Sequence, residues 1–415
     1  MIKSTSTRKT LKFIILFVSI ILAEMATALT FKLIPFEFLK ALNGMETAQI
    51  YAAGSFISIL FALFGGWLSD KLGRLLTIFI AILVAMSGSI VMIFISEGNT
   101  LQGVYILSVA VDMVIAVSFW AFVMENSTLR HRGLFFALVM GIKGVFYQFS
   151  TELGVGFLNR IDFLPTIKLG VVIFGFAIGL LIWLVVWENR SPDFHGETAQ
   201  TGFTNQVPAE YASSSGVLKW VIAIAIINQL GFGLASLNGI QSLEHVTDFL
   251  QLEFSQSVVL IKAQYVYNGT ILMLTIMLLF GWLSDKFTER PVLLAIMGIG
   301  IGGILPFLIW QGFNSLAIQI LSAGFCSAAF TPGLNSVLSK LIPDGKLGIS
   351  YGVFTAISSI GFFLLLPVQN FISEKPQIVA TSVIVAFLIS GILIWLKIKL
   401  PAAPIEQGNE MAVAG

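Results

Sequence analysis

Charge is scarce in this sequence. Only 11% of its 415 residues are Asp, Glu, Lys or Arg, against about 25% in soluble domains. The formal net charge is +1, so no strongly basic face is implied and nucleic acid is not expected as a partner. There is one cysteine, Cys326, and it lies in an apolar run. An internal disulfide is therefore excluded, and a small buried hydrophobe is the expected role. The three histidines, His131, His195 and His245, fall in loops with no ligand spacing, so no metal site is expected. No Gly-rich Walker loop is present, which argues against ATP as a driving force. No Ser/His/Asp constellation stands out either, so neither an enzyme nor a cofactor is expected.

Apolar sequence fills the space that charge leaves. The chain is 57% hydrophobic, with a mean hydropathy of +0.93. A bilayer core needs about 20 predominantly apolar residues per helix. Runs of that kind lie near 11–33, 47–69, 74–96, 101–124, 133–157, 166–187, 217–241, 256–281, 289–310, 314–338, 347–370 and 377–397. The first follows Lys3, Arg8, Lys9 and Lys12, but it is longer than a signal-peptide core and lacks a small-residue cleavage site. A retained helix is expected there. Barrel strands would be about 10 residues long and alternating, which these runs are not.

Placing both termini in the cytoplasm puts sixteen Lys and Arg residues on that side and about five on the other, with Lys143 and Lys262 inside helices. An all-α membrane protein of twelve spans is the expected fold. The longest polar stretch, 188–216, contains Pro192, Pro208 and the run Ser213–Gly216. It divides an N-terminal half (1–187) from a C-terminal half (217–400) and reads as a cytoplasmic linker, with 401–415 as a cytoplasmic tail.

The halves repeat. Gly66-Trp-Leu-Ser-Asp70-Lys71 recurs as Gly281-Trp-Leu-Ser-Asp285-Lys286, 215 positions later. The same offset carries Arg132-Gly133 onto Leu347-Gly348. Parallel internal repeats of this kind occur in transporters.

The segment Gly66-x-x-x-Asp70-Lys71-x-Gly73-Arg74 resembles the signature of the major facilitator superfamily between helices 2 and 3. The second copy keeps Gly281, Asp285 and Lys286, then departs, with Thr288, Glu289 and Arg290 where Gly-Arg is expected. The resemblance implies two pseudo-symmetric six-helix halves, and a latch at the cytoplasmic side that closes in the outward-facing state. Glycine permits close helix approach, and an aspartate can cap a neighbouring helix N-terminus. Glu125 and Arg132-Gly133 resemble the signature that follows helix 4 in sugar porters and metabolite:proton symporters, with Thr128 in place of a proline. In the second half Lys340-x-x-Pro343 keeps the proline and loses both charges.

Helices 3, 6, 9 and 12 carry no ionisable residue in their apolar stretches, which suits the outer positions the superfamily implies for them. Charges inside the membrane are costly and normally face a partner or a water-filled cavity. Glu24 lies mid-way along helix 1 and Asp112 mid-way along helix 4, and both are candidate proton carriers. Lys143 in helix 5 is a candidate substrate ligand, and a static pair between it and either acid is the alternative. Tyr105, Ser108, Asp112 and Phe119 share one face of helix 4 by spacing. Helix 7 carries a small and polar stripe, Asn228, Gly231, Ala235, Asn238 and Ser242. Helix 8 adds Gln264, Tyr265 and Asn268 as candidate substrate contacts.

The resemblance therefore implies a secondary active transporter of the inner membrane working by alternating access. Proton-coupled symport of a small polar metabolite (amino acid, betaine or organic acid) is expected. A drug or siderophore exporter and a non-transporting sensor of the same fold stay open. The expected partners are the bilayer and the substrate, and the expected state is a monomer.

Overall fold

The computed structural model describes residues 5–31, 44–94, 98–127, 132–160, 163–189, 215–240, 271–310, 313–342, 347–363 and 376–398. Within them the chain is helical throughout. The helices are α1 (Thr5–Thr30), α2 (Gly44–Leu72), α3 (Arg74–Phe94), α4 (Gly98–Glu125), α5 (Arg132–Arg160) and α6 (Phe163–Asn189), then α7 (Ser215–Ile240), α8 (Ile271–Phe287), α9 (Glu289–Ile309), α10 (Phe313–Leu341), α11 (Leu347–Phe363) and α12 (Pro376–Lys397). Six of them are long and apolar enough to cross a bilayer: α1, α3, α4, α6, α9 and α12. Most of the polar stretch expected as a linker, and the whole tail, lie outside the described residues.

Backbone polar groups have no water to bond in hydrocarbon, so helices that satisfy them internally are the available solution. Hydroxyls inside these apolar helices follow the same rule by bonding back to the preceding turn. Ser19, Thr27 and Thr30 donate to the carbonyls of Ile15, Ala23 and Ala26 at 2.8, 2.9 and 2.8 Å.

The packing repeats with the sequence. In the first six helices α1 lies along α6, and α3 along α4. In the second six α7 lies along α12, and α9 along α10. The helices α3, α6, α9 and α12, whose charges stand only near their ends, are the outer ones. Between 33% and 44% of each apolar window is buried, against 61% in α1 and 67% in α4. The two sets of six meet chiefly through α2 against α11 and α5 against α8.

These crossings are closer than side chains allow. A Cβ on Gly66 would lie 2.4 Å from the Gly348 carbonyl oxygen, and one on Gly281 2.5 Å from that of Gly133. The four glycines are the same two positions of the repeat, each used once in either half.

The repeated signature is not a loop. Helix α2 continues through Leu72 and a single residue, Gly73 at φ 86°, turns the chain into α3. The second copy makes the same turn with Thr288, at φ 72° and ψ 156°. That backbone region belongs to glycine, and a β-branched residue there is strained by roughly 1–3 kcal/mol. Thr288 is exposed and has no side-chain cap bond to lose. Thr288→Gly is therefore expected to stabilise the protein by about 1 kcal/mol, read as a higher thermal midpoint in detergent. An unchanged or lower midpoint contradicts the strained turn.

Candidate functional site

Among the described residues, polar groups concentrate in a pair of clamps at the α2–α3 end of the molecule and in a cavity between helices. In the first clamp Asp70 accepts from the backbone N–H groups of Gly348 and Ile349 at 2.9 and 2.7 Å. In the second Asp285 accepts from those of Gly133 and Leu134 at 2.9 and 2.8 Å. Each carboxylate thus caps the first turn of a helix in the other half, where unpaired N–H groups and the helix dipole favour negative charge. The glycines explain the reach. A Cβ at Gly348 would meet Asp70 Oδ1 at 2.6 Å, and one at Gly133 would meet Asp285 Oδ1 at 2.9 Å.

Other members of the signature take different positions. Arg74 bonds Asp70 through Nη1 at 2.6 Å and Glu125 through Nη2 at 2.7 Å, joining α3, α2 and α4. Arg132 Nη1 donates to the Ser339 carbonyl at 2.6 Å, a third link across the halves. Lys71 and Lys286 are not part of the caps. Each lies over the tryptophan of its own repeat, Trp67 at 4.9 Å and Trp282 at 4.7 Å. In the second repeat Lys340 and Leu347 stand where Glu125 and Arg132 stand in the first, and Lys340 still takes part in a charge pair. Glu289 and Lys340 form an ion pair there, with Ser336 Oγ donating to the same carboxylate at 3.0 Å.

The cavity, about 310 Å³, lies among α2, α7, α10 and α11. Its polar lining is Ser58, Asn228, Gln229, Thr331, Asn335 and Tyr351, with Thr355 and Ser359 further along α11, and Phe232, Phe330 and Phe354 close its apolar side. Tyr351 donates its hydroxyl to Asn335 Oδ1 at 3.2 Å. No lining residue carries a charge.

The sequence candidates divide. Asn228 lines the cavity, but Gly231 from the same expected stripe packs against Ala386 and Phe387 of α12 instead. The side chain of Asn238 lies outside the described residues, as do Gln264, Tyr265, Asn268 and Lys262 altogether. Phe119 is fully buried and stacks on Phe17, with ring centroids 6.2 Å apart. Tyr105 is buried, and its backbone carbonyl accepts from Ser108 Oγ at 2.6 Å.

Lys143 and Glu24 meet at 2.6 Å, with side chains 20% and 6% exposed. Asp112 is partly buried, and no hydrogen bond or ion pair to it is found among the described residues. None of the lining on α10 and α11 was among the candidates read from the sequence. The signal was present: Tyr351, Phe354, Thr355 and Ser359 follow the period of one helix face, as do Phe330, Leu334 and Thr331, Asn335.

The Major Facilitator Superfamily model matches residues 246–413. The rat monocarboxylate transporter 13 is 29% identical over 122 residues, and its bovine counterpart 30% identical over the same length. The rat match covers 28% of this chain and 28% of the relative, and the bovine match covers 28% and 29%. Solved structures match over nearly the whole chain. The human organic anion transporter MFSD10 superposes with a TM-score of 0.71 at 14% identity, covering 94% of this chain and 100% of that one. The Escherichia coli fucose:proton symporter gives 0.67 at 14% identity, over 94% and 98%. A bacterial homologue of the iron transporter ferroportin in an outward-facing state gives 0.68 at 14% identity, over 92% and 98%.

The pairing of Glu24 with Lys143 carries its own test. Removing one partner of a buried pair leaves an uncompensated charge, at a cost of about 3 kcal/mol or more. Glu24→Gln and Lys143→Met are each expected to lower the thermal midpoint more than the double variant does. Additive losses in the double variant contradict the pairing.

Proposed function

We propose that this chain, a member of the major facilitator superfamily, is a secondary active transporter that carries a small polar metabolite by alternating access. The observation that supports this most is the pair of reciprocal caps. They close one end between two repeated six-helix halves, while an uncharged polar cavity sits among α2, α7, α10 and α11. With the clamp end in the cytoplasm, as the Lys and Arg distribution favours, the cavity of this state faces outward. The protein then lies in a cell membrane as a multi-pass transporter, in a bacterial cell the inner one.

Proton-coupled symport is the mode proposed. Glu24 is held by Lys143, which makes it a structural partner more than a mobile carrier. Of the two candidate acids, Asp112 is the proposed carrier, since it is partly buried and no ion pair holds it among the described residues. Organic acids are the substrate class proposed, a reading supported by the names of two similar proteins, a monocarboxylate transporter and an organic anion transporter. A carboxylate moving together with a proton is neutral overall, and that suits a cavity whose lining carries no charge.

Uptake by proteoliposomes of labelled neutral amino acids, betaine and short monocarboxylates, under an imposed inward proton gradient, tests the proposal. At least one compound is expected to be concentrated above the external level. Asp112→Asn is expected to abolish that accumulation while keeping counterflow. An Asp112→Asn protein that still concentrates substrate rules this acid out as carrier, and no gradient-dependent uptake at all removes the symport reading.

A further inference from the structure

The 215-residue repeat places Arg74 on Glu289 and Glu125 on Lys340. Both position pairs form ion pairs, 2.7 Å apart in the first repeat, and their polarity is reversed. In the first repeat the cation stands at the start of α3, where it reaches the clamp carboxylate Asp70 as well as Glu125. In the second repeat an acid stands at the start of α9. The cation comes from the end of α10 and is taken up by Glu289, a residue only 2% exposed and also bonded by Ser336.

The two clamp aspartates therefore sit in unlike surroundings. Asp70 has two backbone N–H groups and a guanidinium in contact. Asp285 has two backbone N–H groups, and its charged neighbours point elsewhere. Arg132 of α5 reaches the Ser339 carbonyl, Lys286 lies over Trp282, Arg290 reaches the Trp395 carbonyl, and Lys340 pairs with Glu289. Asp285 stands beyond the apolar stretch of α8. Burial holds its carboxyl above the ordinary carboxylate range, against the downward pull of the Leu134 and Gly133 N–H bonds and of Lys340, and the Glu289 charge adds a smaller upward push.

We infer that Glu289 is a positioning residue that holds Lys340 away from Asp285, and so makes the α5–α8 clamp the weaker of the two and the first to open. Like charge near a capping carboxylate weakens the cap, whereas a contacting cation strengthens it. The chain thus builds into its fold an order of release that a symmetric pair of clamps would lack. The inference rests on the reading that this end opens and closes during transport.

The sign of two single substitutions tests it. Spin-label distances are measured across α5–α8 and across α2–α11 in nanodiscs, on a Cys326→Ala background, without substrate. The unsubstituted protein is expected to show a larger open fraction across α5–α8 than across α2–α11. Glu289→Gln removes the adverse charge and frees Lys340 to approach Asp285, so the closed-to-open ratio across α5–α8 is expected to rise roughly threefold. Lys340→Gln leaves two acids facing each other, and the same ratio is expected to fall. A pair that only braces the fold would loosen the clamp in both variants.

Shifts of the same sign, or no shift, overturn the inference. If Lys340→Gln does not fold, the direction in Glu289→Gln decides alone, and a fall or no change overturns it. The readout needs no flux. Opposite shifts in a protein that transports nothing would leave the inference standing and remove the proposed function.

Discussion

A carboxylate capping a helix of the opposite half is the interaction on which the rest of this structure depends. It needs three things at once. The helix ends must come within contact distance, which the glycine pairs 66/348 and 133/281 allow. The acceptor must stand one turn beyond the glycine, as Asp70 and Asp285 do. The donors must be otherwise unpaired, and the first N–H groups of α11 and α5 meet that condition. Because the caps join backbone to carboxylate, they make no side chain the sole partner of another. Parting of the halves, as the proposed transport cycle requires, would cost a few hydrogen bonds and leave the packing within each half intact.

The halves share a backbone plan and differ in what they place on it. The cavity residues Asn228, Asn335, Tyr351 and Thr355 correspond, at the repeat spacing, to Phe13, Trp120, Phe136 and Met140. In the first half those positions build an aromatic core in which Phe13 stacks on Phe122 and Trp120 packs on Phe136. The membrane-embedded charges show the opposite bias, since Glu24, Asp112 and Lys143 correspond to Gly239, Ser327 and Ser358. Duplication supplied two equal scaffolds. Among the described residues, most of the uncharged polar cavity lining comes from the second half, while Glu24, Asp112 and Lys143 belong to the first.

The fold was legible because hydropathy and one repeated hexapeptide are strong signals. Apolar runs mark helices wherever water is absent, and identity between Gly66–Lys71 and Gly281–Lys286 marks the duplication. The cap geometry was legible for the same reason, as a glycine followed one turn later by an aspartate has few uses at a helix end. The cavity was harder to see. Thr331, Asn335 and Thr355 lie in helices rich in small residues, and a helical period groups them on a face without saying which face meets the cavity. The ion pair Glu289–Lys340 was missed for a different reason. The charges at both positions are reversed in the second repeat, so neither Glu289 nor Lys340 matches the signature of the first, and the pair shows only when both partners are followed together.

The central claim is that the two aspartate caps hold this end of the molecule shut. The most direct test is the rate at which a cysteine introduced at Thr355, on the cavity wall, reacts with a membrane-impermeant thiol reagent applied from the clamp side. The protein for this test carries Cys326→Ala. Slow reaction is expected with both caps intact, and a marked acceleration when Asp70→Asn and Asp285→Asn are combined. The same slow rate in the double variant, from protein that remains folded, would contradict the account.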